Sequence, residues 1–271
     1  MSRRSTLCLT LALSALVQAC GAPESRPAEG PIADQIETSL ANGKATYDHS
    51  EWGRLLAEGT RHGFVDYSFM QENRADLDRY LAGLEEANLA ALDPQHLKAL
   101  LLNAYNALTV RSILDNWGVS SIREIEGVWD TVSHRLGGFD LTLDQIEHNI
   151  VRPFFRDPRI HFAVNCASAS CAPLPPWSFE GPELDAQLDE LTNAFLSDED
   201  NVRVEDGKLL LSSYFNWYGD DFVAAGWTPR AASIPAFVSL HTRSEVAEFL
   251  RTNPQPVIEF LDYDWSLNRA P

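Results

Sequence analysis

Apolar positions recur at helical spacing through the first half of the chain. Between Ser50 and Gly59, Trp52, Leu55 and Leu56 share one face, and Ser50 is the expected N-cap. Val65-Asp66-Tyr67 reads as a short extended piece. A helix starting at Asn73 or Asp76 aligns Leu77, Tyr80, Leu81 and Leu84. Asp93-Pro94 supplies an N-cap followed by proline at the first helical position. The helix it opens runs to about Leu114 and is apolar on several faces (Leu97, Leu100, Leu101, Ala104, Leu108, Ile113), which predicts a central, buried element. Trp129 to Leu141 reads as a hairpin about Gly137-Gly138. Thr142 and Gln145 form a capping box for a helix carrying Asp144, Ile146, Glu147, His148, Ile150 and Val151. That helix is expected to stop before Pro153.

The pattern then changes. Asp157-Pro158 reads as a turn, and Ile160 to Val164 is a continuous apolar run, expected as a buried strand. It breaks into Asn165-Cys166-Ala167-Ser168-Ala169-Ser170-Cys171 before prolines end it. Glu183 to Leu196 follows as an amphipathic helix with Leu184, Leu188, Leu191 and Phe195 inward. Val202 to Leu211 is a hairpin with an Asp206-Gly207 turn. The aromatic-rich segment from Leu211 to Phe222 reads as helical. Ser244 is expected to cap a helix from Glu245 to Leu250, and Val257 to Trp265 reads as a terminal strand. No repeat or linker divides Ile32 to Leu267. The elements predict one α+β domain of residues 32–271, with helices packed on a small, largely antiparallel sheet.

Composition narrows the picture. Of 271 residues, 45% are hydrophobic and 22% charged, as in a globular protein. A net charge of −18 without a Lys/Arg cluster argues against nucleic acid as a partner. The acidic residues are spread out, as on a solvated surface. At the N-terminus, Ser2-Arg3-Arg4 is basic and Leu7 to Leu16 is apolar but too short to span a bilayer. Val17-Gln18-Ala19-Cys20 resembles the lipobox of bacterial lipoproteins. That resemblance implies a signal peptide over residues 1–19, a lipid on Cys20, a disordered tether over 20–31, and a place on the periplasmic face of a bacterial membrane. Gln18 is unusual there, so ordinary secretory cleavage to a soluble periplasmic protein is the alternative.

Cys8 would leave with the signal peptide, so Cys166 and Cys171 are the thiols that matter, in an oxidising compartment. They are compatible with a disulfide, with metal ligation alongside His148 and His161, or with a nucleophile and its neighbour. A thiol in a loop of small residues at the end of a strand is placed as a nucleophile would be. Asp144 and His148, four apart on a helix, share a face, so the carboxylate can orient the imidazole. On a strand, His161 and Cys166 point to opposite faces, which makes His148 the preferred base. Asn103, Tyr105 and Asn106 interrupt the apolar surface of the long helix. They either hydrogen-bond nearby loops, as buried amides must, or line a substrate site. Trp217 and Tyr218 carry the same choice between core packing and substrate stacking.

Four motifs occur in order: Leu102-Asn103-Ala104-Tyr105-Asn106-Ala107-Leu108-Thr109, Ile146-Glu147-His148-Asn149-Ile150, Asp157 to Cys166, and Phe215-Asn216-Trp217-Tyr218 with Asp221-Phe222. They resemble the successive motifs of the domain of unknown function 547, found in bacteria and plants. The resemblance implies similarity to papain-like and transglutaminase-like thiol enzymes, with a Cys, His and Glu arrangement. Here it points to Cys166 as nucleophile, His148 or His161 as the histidine, and Glu147 as the acid. Cys171 corresponds to a position of bacterial members. Three functional expectations follow. The first is a cysteine-dependent hydrolase or acyl transferase on a peptide-like or glutathione-like thiol substrate, needing no cofactor. The second is a non-catalytic envelope binding or scaffold protein with a Cys166–Cys171 disulfide. The third is a Cys/His metal-binding protein.

Overall fold

The computed structural model describes residues 25–271. The expected signal peptide and the lipidated Cys20 lie outside these residues. The helices are α1 (Pro31–Asn42), α2 (Ser50–Gly59), α3 (Tyr67–Glu72), α4 (Arg74–Glu85), α5 (Pro94–Asp115), α6 (Arg152–Phe155), α7 (Leu184–Ser197), α8 (Tyr214–Trp217), α9 (Ile234–His241) and α10 (Ser244–Thr252). The strands are β1 (Thr60–Arg61), β2 (Phe64–Val65), β3 (His134–Leu136), β4 (Phe139–Leu141), β5 (Val202–Glu205), β6 (Lys208–Leu211) and β7 (Ile258–Phe260). The class is α+β, but the expected single sheet is three small ones. β1–β2 and β3–β4 are antiparallel pairs, while β5–β6–β7 is mixed, since β7 joins β6 in parallel.

α5 is the central helix. Asp93 caps it by accepting from the Gln95 N–H, Pro94 opens it, and it is buried over nearly its whole length because both flanks are covered. α2 and α4 bury the predicted faces, Trp52–Leu55–Leu56 and Leu77–Tyr80–Leu81–Leu84. The β3–β4 turn needs positive φ at two successive residues, which Gly137 and Gly138 supply at 57° and 85°. Their N–H groups bond Leu84 and Glu85 carbonyls, so the turn closes the end of α4. Among the described residues no helix is long and apolar enough to cross a membrane.

Several local expectations are corrected. Ser50 is the first residue of α2, not its cap: its N–H bonds the Asp48 carboxylate. Ser244 likewise begins α10. The capping box forms as expected, with Thr142 and Gln145 bonded reciprocally. However, the helix does not stop before Pro153. It runs as a π-helix over Gln145–Val151 straight into α6. Proline supplies no N–H, so the Asn149 carbonyl needs another donor and takes the backbone N–H of Ala28 at 2.8 Å. Asn149 also donates its side-chain amide to the Arg26 carbonyl at 2.7 Å. The last part of the expected disordered tether is therefore held against the domain, and Pro31 starts α1. The terminal strand is only β7; residues 263–268 continue as an irregular strap.

Candidate active site

The segment from Asp157 to Cys171 is not a strand. Asp157 caps a 3-10 helix, Pro158–Phe162, by accepting from the Arg159 N–H. An Asp-Pro pair starts a helical turn as readily as a β-turn, and a buried apolar run of five residues fits either element. Its base is fixed by charge. Lys98 of α5 reaches Asp157 at 2.5 Å, and Arg159 spans Asp157, Asp185 and Asp189. These bonds tie the turn to α5 and α7.

Two asparagines then shape the loop. Asn106 donates to the Ala163 carbonyl at 2.9 Å and accepts from the Asn165 N–H at 2.8 Å. Asn165 donates to the Ala172 carbonyl, accepts from the Ala167 N–H, and also accepts from Asn268. The loop is drawn into a tight arch, with Ala167 at a φ of 60°, a conformation that costs a non-glycine residue free energy. The strap runs beside it: Ala169 and Ser170 N–H groups bond the Ser266 and Asp264 carbonyls. That pairing delivers Tyr263 and Trp265 to the arch.

Cys166 sits at the top of the arch, half-buried. Cys171 Sγ lies 3.1 Å from Cys166 Sγ, and both are free thiols. Ser168 Oγ is at 3.1 Å and Tyr263 Oη at 3.2 Å, and the nearby Ser168 backbone N–H also favours the thiolate. The Cys171 thiol donating to Cys166 is the leading cause that brings Cys166 down to about 7, against the opposing effect of burial. Burial and the nearby Cys166 push Cys171 well above the usual thiol range. Cys166 is the thiolate of the pair, and Cys171 the donor.

The two histidines differ. Asp221 Oδ2, an acceptor, takes bonds from His161 Nε2 at 2.8 Å and from Arg152 Nε at 2.9 Å. His161 therefore carries its proton on Nε2 and leaves Nδ1 as a lone pair, which has no hydrogen-bond partner among the described residues. Burial holds His161 neutral, against the pull of Asp221. In His148 the Nδ1 lone pair faces Arg152 Nη1 at 3.1 Å. Burial, then Arg152, lowers His148 to about 4. Asp144 is 3.8 Å from His148 Nε2, as the spacing suggested. His148 is thus a neutral imidazole already engaged, and the free acceptor belongs to His161. Because Pro158–Phe162 is a 3-10 helix and not a strand, strand alternation does not set His161 and Cys166 on opposite faces, and the preference for His148 loses its basis. Among the described residues, neither histidine is a hydrogen-bond partner of Cys166.

These groups line one cavity of about 310 Å³. Cys166, His148, His161, Glu147 and Asp144 all reach it, as do Tyr105, Trp217 and Tyr218. Glu147 is buried and is pushed up by burial, against the opposing effects of His161, Arg152 and Tyr105. Tyr218 stacks on His161 with ring centres 4.0 Å apart. Asn103 and Asn106 do not line it. Asn103 bonds the Phe179 backbone in both directions, and Asn106 builds the arch. Ser168, Asp221, Tyr263, Trp129 and Trp265 complete the surroundings and were not singled out from sequence. Asp221 lay within a quoted motif; the others carried no signal. Among the described residues no group of three or more His, Cys, Asp or Glu is arranged to hold a metal ion.

Residues 89–196 match the family described as a protein of unknown function, DUF547. The matched span contains Glu147, both site histidines and both cysteines; Asp221 and the aromatic residues from Tyr214 onward lie beyond it. No curated protein and no solved structure matches the chain.

Proposed function

We propose, from a DUF547 domain that presents an activated thiol to an aromatic cavity, that this chain is a cysteine-dependent hydrolase or acyl transferase. One observation carries the reading: the Cys171 thiol and the hydrogen-bonded Ser168–Tyr263 hydroxyl pair converge on Cys166 Sγ and hold it near neutral titration at the wall of the cavity. The Cys166 thiolate attacks an acyl carbon, a carbon–sulfur bond forms, and the bond to the leaving group breaks. His161, oriented by Asp221, takes the thiol proton on Nδ1 and returns it to the departing group. Water, or an amine or thiol acceptor, then releases the acyl group and frees Cys166. The Asp221 carboxylate in this scheme takes the orienting role that the resemblance assigned to Glu147. Peptide-like and glutathione-like compounds are the substrate classes to test first. An exported, lipid-anchored location is proposed on the N-terminal residues alone.

The test is iodoacetamide alkylation across pH with mass-spectrometric assignment of the modified residue. Selective labelling of Cys166 with a midpoint near 7 supports the reading; no preference over Cys171, or a midpoint at the usual thiol value, refutes it. The second reading, a structural disulfide in a binding protein, draws on the 3.1 Å separation of the two sulfurs. It predicts no labelling before reduction.

A further inference from the structure

Resting on Cys166 as the acyl acceptor, we propose that the substrate carries a carboxylate at the far end of an apolar or aryl segment, and that Arg123 anchors it. Arg123 stands on a 3-10 turn, Ile122–Glu124, whose Ser121 side chain accepts the Arg123 backbone N–H. Its guanidinium lies 5.2 Å over the Trp265 ring. Among the described residues it meets no carboxylate and no hydrogen-bond acceptor, whereas Arg152 and Arg159 are committed to buried aspartates. Among the described residues, and histidines apart, it is the one basic side chain on the cavity wall.

From Arg123 a row of rings leads to the thiol. Trp265 and Tyr263 have centres 4.6 Å apart, and the Tyr263 hydroxyl is 3.2 Å from Cys166 Sγ. Trp217 packs on both rings, at 5.9 Å from Trp265 and 4.8 Å from Tyr263. A ligand lying along this row meets a charged fork at one end, aromatic faces in the middle and the nucleophile at the other. Burying an apolar segment against those faces provides affinity, and the guanidinium fork selects the terminal group. A cationic end group is disfavoured because the Arg123 guanidinium already lies over the Trp265 ring. A polyphosphate is disfavoured because Asp144 and Glu147 line the same cavity and the chain is strongly acidic.

The experiment is calorimetric titration of the protein with phenylbutyrate and with its neutral amide, phenylbutyramide, for the wild type, R123Q and R123K. The expected result is carboxylate binding tighter than amide by about tenfold or more, as one charge-assisted bond gives. R123Q loses that difference, and R123K, which keeps the charge without the fork, retains part of it. Equal binding of the two ligands by the wild type, or a preference that survives in R123Q, overturns the proposal. Held by Arg123 at the carboxylate or amide end, each ligand presents only its phenyl end, which has no acyl group, toward Cys166, so the result is independent of the acyl-transfer reading, which the Cys166 alkylation rate reports separately.

Discussion

The donors around Cys166 make a prediction that depends on counting hydrogens. Ser168 and Tyr263 each bring one hydroxyl hydrogen, and the two oxygens are 2.6 Å apart, with the sulfur 3.1 and 3.2 Å away. Three short contacts share two hydrogens. One hydroxyl therefore donates to the other, and the second donates to the thiolate. In Y263F, Ser168 is still free to donate to sulfur; in S168A, Tyr263 is. Each single substitution should move the alkylation midpoint of Cys166 only slightly from about 7. The double variant removes the last hydroxyl donor. A hydrogen bond to a charged group contributes about 1.5–3 kcal/mol, and 1.36 kcal/mol corresponds to about one pH unit. The double variant should therefore raise the midpoint by about one to two pH units, more than the two single shifts combined. The assay is the pH dependence of iodoacetamide labelling, read at Cys166 by mass spectrometry, with the melting temperature as a check on folding. A full shift in either single variant, or an unmoved midpoint in a folded double variant, refutes the shared-donor arrangement.

Other expectations follow from the same geometry. N106L leaves the Ala163 carbonyl and the Asn165 N–H without their buried partner, and should cost about 3 kcal/mol in denaturant unfolding; a loss under about 1 kcal/mol would show that the arch does not depend on it. Diamide should remove the two thiol hydrogens and join Cys166 to Cys171, since the sulfurs need approach by only about 1 Å to reach bonding distance. Iodoacetamide labelling should then vanish and return with reductant; persistent labelling of Cys166 after oxidation would refute this. Acid should destabilise the fold through His49 and His148, both lowered from 6.5 to about 4, chiefly by burial. Below pH 6.5 the unfolded chain binds protons that the fold does not, so stability is complete above 6.5 and falls as pH drops toward 4. Each histidine accounts for on the order of 3 kcal/mol. A melting temperature constant from pH 7 to pH 4.5 would contradict it.

The helical half of the fold was legible because local signals there agree with one another. Asp93-Pro94, the all-round apolar surface of α5, and the faces of α2 and α4 each specify an element and its buried side. The Gly137-Gly138 and Asp206-Gly207 turns were legible because positive φ needs those residue types. The Cys166 loop, Glu147, both site histidines and the cavity-lining Tyr105, Trp217 and Tyr218 stood out for their chemistry. What sequence periodicity left open was geometry decided by distant partners. A five-residue apolar run is buried as a strand or as a 3-10 turn, and Lys98 and Asn106 on α5, with Asp157, determine which. Pro153 stays inside a helix because Ala28, far away in sequence, supplies the missing donor. The roles of the histidines depend on Asp221 and Arg152, and the thiol's acidity on Ser168, Tyr263 and Cys171. No spacing rule joins Cys166 to Tyr263 across 97 positions; only the strap folded against the arch brings that hydroxyl to the sulfur.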